Sequence, residues 1–434
     1  MKIKKTVNIF WFRRDLRLND NKGLFHALNA GLPVLPLFIF DENILKDIEV
    51  NDPRVEFIYQ NVEKLNQELS KKGSGLLVLK GNPIDIFMQL TLEYEVANVY
   101  TNMDYEPYSL KRDTEIKELL YLKSTGFHQY HDHVIFAPGE ILKADGRPYE
   151  IFTPFSKAWN SKLNSQALSH FKSESLLDRC LKESIQRLKS LSEIGFNSTK
   201  CVFPSSEIPE EKIRNYDKTR NFPAIDGTTY LGIHLRFGTI SIRECVEIAL
   251  KLNRTWLNEL IWREFFIQIL AHYPYVVNNP FKKRYQNIRW NNNENDFRKW
   301  CAGQTGYPLV DAGMRQLLKT GFMHNRVRMV CSSFLVKHLI IDWRLGEAWF
   351  ANHLLDYELS SNNGNWQWIA GCGCDAAPYF RIFNPIRQQQ LFDPKYEYIK
   401  KWIPDYSSVS YPKYIINHEE ARIRCITIYK EALE

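Results

Sequence analysis

The sequence predicts a doubly wound parallel-sheet α/β domain at the N-terminus followed by a mainly α-helical C-terminal domain. Short apolar runs alternate with helix-like segments over the first 130 residues, the pattern of parallel strands joined by crossover helices. Beyond Asn221 almost every segment instead has helical period and length. At 434 residues the chain also exceeds the usual size of a single hydrophobic core, so two cores are expected.

Taken in order, the apolar runs are Val7–Phe12, Val34–Phe40, Leu76–Leu79 and Val96–Thr101, with Arg54–Lys71 and Tyr108–Ser124 among the helix-like segments. A doubly wound sheet opens its pocket beyond the carboxyl ends of the strands. Arg13-Arg14-Asp15 and Asp41-Glu42 stand there, and no G-x-G-x-x-G is present, so a tightly bound dinucleotide is not indicated in this domain. From His131 to about Lys200 the pattern loosens around Pro138, Gly139, Gly146 and Pro148. A Ser- and Lys-rich amphipathic stretch follows from Ser161 to Ser192, expected to form a connector with helices laid over the surface. The expected bounds are 1–130, 131–200 and 201–434.

Composition excludes several classes. The eight cysteines are scattered, and the Cys372/Cys374 pair has no second pair at zinc-site spacing, so no metal site is expected and the thiols read as reduced in a cytosolic protein. The Met1-Lys-Ile-Lys-Lys start is followed by an apolar run that stops at Arg13, too short for export. No span approaches the roughly 20 apolar residues needed to cross a bilayer, so a soluble protein without a membrane partner is expected. A net charge of +7 is compatible with a nucleic-acid partner but does not establish one. Nine of the 11 tryptophans lie between Trp256 and Trp402, which places the aromatic chemistry in the helical half.

Chemistry-bearing residues concentrate from Asp356 to Pro385, DYELSSNNGNWQWIAGCGCDAAPYFRIFNP, with the amide-rich Ile386-Arg-Gln-Gln-Gln390 after it. Asn362, Asn363, Gly364 and Asn365 favour a turn or a helix end. An unpaired buried amide or carboxylate costs about 1–3 kcal/mol, so a polar cofactor that supplies partners fits the run better than a dry core does. A capped loop between two core helices is the alternative. Asp226-Gly-Thr-Thr-Tyr-Leu-Gly232 offers hydroxyls and backbone N–H groups ahead of a helical run, suited to a pyrophosphate or simply to helix capping. Trp256–Phe266 contains no Gly or Pro and puts Glu259 and Trp262 on one helical face. Arg315, Lys319, His324, Arg326 and Arg328 are interleaved with apolar positions, a solvated face or a basic surface.

These runs closely resemble the DNA photolyase and cryptochrome family, most like its class I cyclobutane pyrimidine dimer photolyases. W-F-R-R-D-L-R-L-x-D-N near the N-terminus, Thr153-Pro-Phe-Ser-Lys-Ala-Trp159 and M-H-N-R-x-R-M at Met323–Met329 extend the likeness over nearly the whole chain. The resemblance implies a C-terminal FAD-binding domain, with Tyr216, Thr228, Thr229, Tyr230, Leu231, Gly232, Trp256, Glu259, Arg263, Asn325, Arg328, Asp356, Tyr357, Glu358 and Asn362 toward the cofactor. Tyr230 and Gly232 stand where relatives often carry Arg and Ser. Glu259 and Trp262 would hold the damaged bases, Asn325 and Met329 would lie beside flavin and dimer, and Asn362 would face flavin N5. Arg328 is expected to pair with Asp356. DNA would meet Arg220, Glu259, Trp262, Arg263, Phe266, Asn325, Arg326, Trp368, Arg381 and Gln388. Trp366, Trp343 and Trp290 match an electron relay from surface to flavin.

The implied activity is light-driven repair of pyrimidine dimers in DNA, by electron transfer from excited reduced FAD, bond splitting and return of the electron. A cryptochrome-type photoreceptor is the alternative on the same fold. The implied protein is a cytoplasmic, bacterial-type monomer that is nucleoid-associated when bound to DNA. A second, antenna chromophore belongs to the N-terminal domain of this family. Tyr108-Ser109 replaces the Asn-Glu of folate-binding members, which disfavours folate and leaves deazaflavin, a second flavin or an empty pocket.

Overall fold

The structure is a computed structural model that describes residues 4–182, 188–408 and 411–434. Its contacts divide the chain into two units: residues 1–137, 163–208 and 231–248 form the first, and residues 138–162, 209–230 and 249–434 the second. The expected bounds were continuous in sequence, whereas these units interleave.

In the first unit β1 (Thr6–Phe12), β2 (Val34–Asp41), β3 (Leu77–Gly81), β4 (Glu95–Asn102) and β5 (Gly126–Tyr130) form one five-stranded sheet in the order β3-β2-β1-β4-β5. Every pairing is parallel. Helices α1 (Lys22–Leu28), α2 (Pro53–Ser70), α3 (Pro83–Glu93) and α4 (Pro107–Leu122) are the crossovers. The order reverses at β1, as in doubly wound folds. Val7, Ile9, Trp11, Leu35, Leu37 and Val99 form the centre of its core, all 0–1% exposed. The central strands β1 and β2 are buried on both faces and therefore read as apolar runs; β3 and β5 are the half-exposed edge strands, and in β5 the polar His128 and Gln129 break any such run.

Charge closes the carboxyl end of this sheet. Arg13 pairs with Asp113, Arg112 bonds both Asp41 and Asp113, and the two guanidiniums lie 4.9 and 4.8 Å from the Trp11 ring centroid. Tyr108 donates to Asp41 at 2.7 Å and Ser109 to Asp104 at 3.1 Å.

Residues 163–208 correct the expectation of surface helices. Among the described residues they carry one 3-10 turn, Ser173–Arg179, and an isolated parallel bridge from Cys180 to Val34. Ser173, Leu177, Cys180, Leu181, Ile194 and Phe196 are buried, so the stretch is anchored to the first core through scattered side chains rather than one amphipathic face. Residues 183–187 of that stretch, and residues 1–3 at the N-terminus, lie outside the described residues.

The second unit is helical. α5 (Phe152–Lys162), α6 (Arg254–His272), α7 (Asn325–Ser333), α8 (Trp343–His353) and α9 (Leu359–Ala370) surround the features described next. A core centred on Trp300, Tyr307, Val327, Phe334, Trp343, Trp366 and Tyr398 supports them. No helix among the described residues is long and apolar enough to cross a membrane. All eight cysteines are free thiols.

Candidate functional site

Local capping sets where each site helix begins. Asn253 accepts from the amides of Thr255 and Trp256 to start α6; His324 Nδ1 accepts from the Arg326 amide at 3.2 Å to start α7; Asp342 does the same for α8 through Arg344. α9 ends at Gly371, whose φ of 85° is the left-handed conformation a glycine reaches without strain.

The turn or helix end expected at Asn362–Asn365 is instead helix interior. A Cβ on Gly364 would stand 2.1 Å from Cδ1 of Phe266, so this glycine lets α9 press directly on α6. The amides are consumed along the helix: Asn365 donates to the Ser361 carbonyl and Gln367 to Asn363. Tertiary packing overrides the turn preference of the residue types.

α6, α7, α8 and α9 enclose a cavity of about 410 Å³. Its wall brings together Arg220, Glu259, Trp262, Arg263, Phe266, Asn325, Arg328, Met329, Asp356, Tyr357, Glu358, Asn362, Trp366 and Trp368, fourteen residues singled out from the sequence. Ser332, Phe350, Leu354, Ser361, Asn365 and Ile369 complete it. Spacing offered a signal for Ser332 and Ser361, one helical turn from Arg328 and Asp356–Glu358, but none for Phe350 or Leu354, which read as core.

Three arginine–carboxylate pairs stand on the wall: Arg220 to Glu259 at 2.6 Å, Arg263 to Glu358 at 2.9 Å and Arg328 to Asp356 at 2.8 Å. The last is the pairing expected from the sequence. Glu259 is pulled two ways, since desolvation raises its pKa and Arg220 lowers it; the net direction is up. The Asn362 side-chain amide donates to the Glu347 carboxylate at 2.9 Å and to the Glu347 carbonyl at 3.1 Å. A carbonyl only accepts, so this contact alone fixes the amide and leaves Oδ1 as an acceptor. Burial raises the Glu347 pKa, and the Asn362 bond opposes it.

Other expected residues lie off the wall. Trp256 is 4% exposed, buried on α6 and not on the cavity wall. Tyr216 is 5.5 Å beneath the Arg220 guanidinium, and burial pushes its phenol up. Thr228, Thr229 and Tyr230 are half-buried, with Tyr230 at a left-handed φ of 57° and its ring 4.6 Å from Phe322. Leu231 and Gly232 belong to the first unit, at the start of the helix Gly232–Phe237. Arg326 donates to Asn221 at 2.7 Å and lies 4.4 Å over Phe392; Arg381 is exposed, 5.8 Å over Trp368; Gln388 is half-buried in the helix Pro385–Phe392.

Of the three expected relay tryptophans, Trp366 is on the wall and 2% exposed, Trp343 is buried in the same core, and Trp290 is half-buried with its ring 6.2 Å from Tyr429. Trp366 meets Phe350 edge-on at 5.0 Å and Trp300 at 6.3 Å.

A family model described as DNA photolyase matches residues 8–173, and one described as the FAD binding domain of DNA photolyase matches residues 256–422. The deoxyribodipyrimidine photo-lyase of Synechococcus sp. is 37% identical over 440 residues, spanning 95% of this chain and 90% of its own. Among solved structures, the bacterial class III photolyase from Agrobacterium tumefaciens matches with a TM-score of 0.87 at 30% identity, covering 100% of this chain and 98% of that one. The archaeal photolyase from Sulfolobus tokodaii, solved with two FAD molecules, matches at 0.79 and 33% identity, covering 98% and 99%.

Proposed function

Since this chain belongs to the DNA photolyase family, we propose that it is a deoxyribodipyrimidine photo-lyase that repairs cyclobutane pyrimidine dimers, with the helical cavity as the place where FAD and the damaged bases meet. One observation carries the reading: Glu259, Trp262, Asn325, Met329 and Asn362, spread over about a hundred residues of sequence, converge on a single wall.

The wall fits FAD chemically. Trp262, Phe266, Met329, Phe350 and Trp366 supply apolar surface for a planar ring system, and Asn362 Oδ1 offers an acceptor whose orientation is already set. When bound and reduced, FAD supplies under illumination the electron that opens the cyclobutane ring.

The rest is the work of this chain's residues. Trp262 gives a damaged base a stacking face, and Glu259 accepts hydrogen bonds from it while Arg220 offsets its charge. The Arg263–Glu358 and Arg328–Asp356 pairs keep the cations on the wall in place without leaving buried charge unpaired. The amide of Asn362 accepts from a protonated group and adds no charge of its own. Arg220, Arg326 and Arg381 meet DNA phosphates, and Trp366, Trp343 and Trp290 carry an electron inward from the surface. Photolyases extrude the damaged bases from the stack, a general feature of enzymes of this kind. A second chromophore in the N-terminal domain, if the pocket is filled, is a deazaflavin, a flavin or a folate; the two FAD molecules of the Sulfolobus tokodaii structure favour a flavin over an empty pocket.

The test is illumination of the purified, FAD-loaded and reduced protein with an oligonucleotide containing one thymine dimer. Dimer loss in light and not in darkness is expected. Failure to split dimers, with FAD bound and reduced, refutes the reading and leaves the photoreceptor alternative.

A further inference from the structure

The segment Thr153–Trp159 stood out in the sequence without a physical role, and the structure supplies one. Phe152, the first residue of α5, lies flat on the indole of Trp262: the ring centroids are 3.7 Å apart and the planes within 5°. Such a stack occupies one face of the indole. Phe265 meets Trp262 edge-on at 5.6 Å and 80°, Phe266 lies beside it at 5.5 Å and 29°, and Trp262 remains on the cavity wall.

Phe152 is held from several directions. Its amide donates to the Asp375 carboxylate at 3.1 Å, and just before it Glu150 accepts from the Tyr273 hydroxyl at 2.8 Å. Further along α5, Phe155 and Trp159 are each 1% exposed. The Phe155 ring packs 5.2 Å from Phe265, and Trp159 Nε1 donates to the Glu264 carboxylate at 2.7 Å. α5 is therefore pinned to α6 at Trp262 itself and at Glu264 and Phe265 just beyond it.

We propose that Phe152 is a positioning and specificity-determining residue of the dimer site: it occupies one face of Trp262, fixes the plane of the indole, and leaves the cavity side as the stacking face for a damaged base. The inference rests on the reading of Trp262 as that stacking platform. A half-buried indole with both faces uncovered would have to be ordered by each incoming substrate, whereas a clamped one is ordered beforehand, which strengthens binding without a new contact. Intact DNA keeps its bases stacked and binds through phosphates, so it gains nothing from the clamp.

Phe152→Leu should lower affinity for dimer-containing oligonucleotide by about 2-fold to 13-fold, the range for loss of one aromatic pair. Affinity for intact oligonucleotide, FAD content and flavin absorbance should not change, and Phe152→Tyr, which keeps the ring, should retain wild-type discrimination. If leucine unfolds the protein, Phe152→Met takes its place. The decisive comparison is a double-mutant cycle: in a Trp262→Ala background Phe152→Leu should cost nothing further. Additive losses, an equal loss on intact DNA, or full discrimination in the leucine or methionine variant would each overturn the proposal. A wild-type protein that neither prefers nor repairs dimers overturns the repair reading itself, and this role with it.

Discussion

Gly346 lies on α8 where that helix meets Trp366, and replacing it with alanine sets two effects against each other. Alanine in a helix interior is favoured over glycine by about 1 kcal/mol. Against that, a Cβ at Gly346 would stand 2.2 Å from Cη2 and 2.6 Å from Cζ3 of Trp366, and 2.5 Å from Cδ2 of Leu335. Neither obstacle can yield easily, since Leu335 is 0% and Trp366 2% exposed, and the indole is boxed by Phe350 and Trp300. Overpacking a filled core costs about 1–3 kcal/mol, and two rigid obstacles put this site at the upper end. The clash therefore wins by about 1–2 kcal/mol, which lowers the melting temperature by roughly 2–8 °C for a unit of this size. The indole on the cavity wall is displaced as well, so light-driven reduction of bound FAD should slow. Urea denaturation measures the first effect and flavin absorbance under illumination the second. A variant at least as stable as wild type, with normal photoreduction, would show that the glycine is not required by the indole.

In Asn362→Asp a carboxylate would face the Glu347 carboxylate and carbonyl that now accept from the amide. The variant should bind FAD but fail to hold it reduced, and lose repair; a reductive titration that reaches full reduction, with repair intact, contradicts this. Trp366→Phe should abolish photoreduction of oxidised FAD while repair by chemically reduced protein survives, and normal photoreduction would remove Trp366 from the relay. Burial first, and then the neighbouring Arg220 and Arg381, lower the Arg326 pKa, so this cluster of cations favours an anion. Arg326→Ala should reduce the log–log salt slope of duplex binding by about 0.9, as one lost phosphate contact; an unchanged slope denies that contact. His324 is driven to about 4 by burial first and then by Arg328, Arg326 and Arg220. Between an unfolded value near 6.5 and that folded value only the unfolded chain takes the proton, so stability should fall as pH drops through this window by about 1.4 kcal/mol per unit. His338, driven to about 3 by burial, adds the same slope. His324→Asn keeps a side-chain acceptor for the Arg326 amide and should remove one proton from the dependence, read by urea denaturation between pH 7 and 4.5.

Periodicity and local pairing carry the features that can be read from the chain alone. β1 and β2 announce themselves because a strand buried on both faces must be apolar throughout; α6 follows from an unbroken helical stretch that puts Glu259 and Trp262 on one face. The Arg328–Asp356 pair was legible only through family likeness, since nothing local brings positions 28 apart together. Tertiary structure alone decided the rest. The Asn362–Asn365 run carries turn residues, yet the close approach of Gly364 to Phe266 and the bond from Asn362 to Glu347 hold it as helix and leave the oxygen of one amide as an acceptor on a cavity-lining residue. Segment 163–208 joins the first core through single buried side chains that leave no period to read. Phe152 on Trp262 unites residues 110 positions apart by aromatic packing, which needs flat surfaces in register in space and imposes no spacing along the chain.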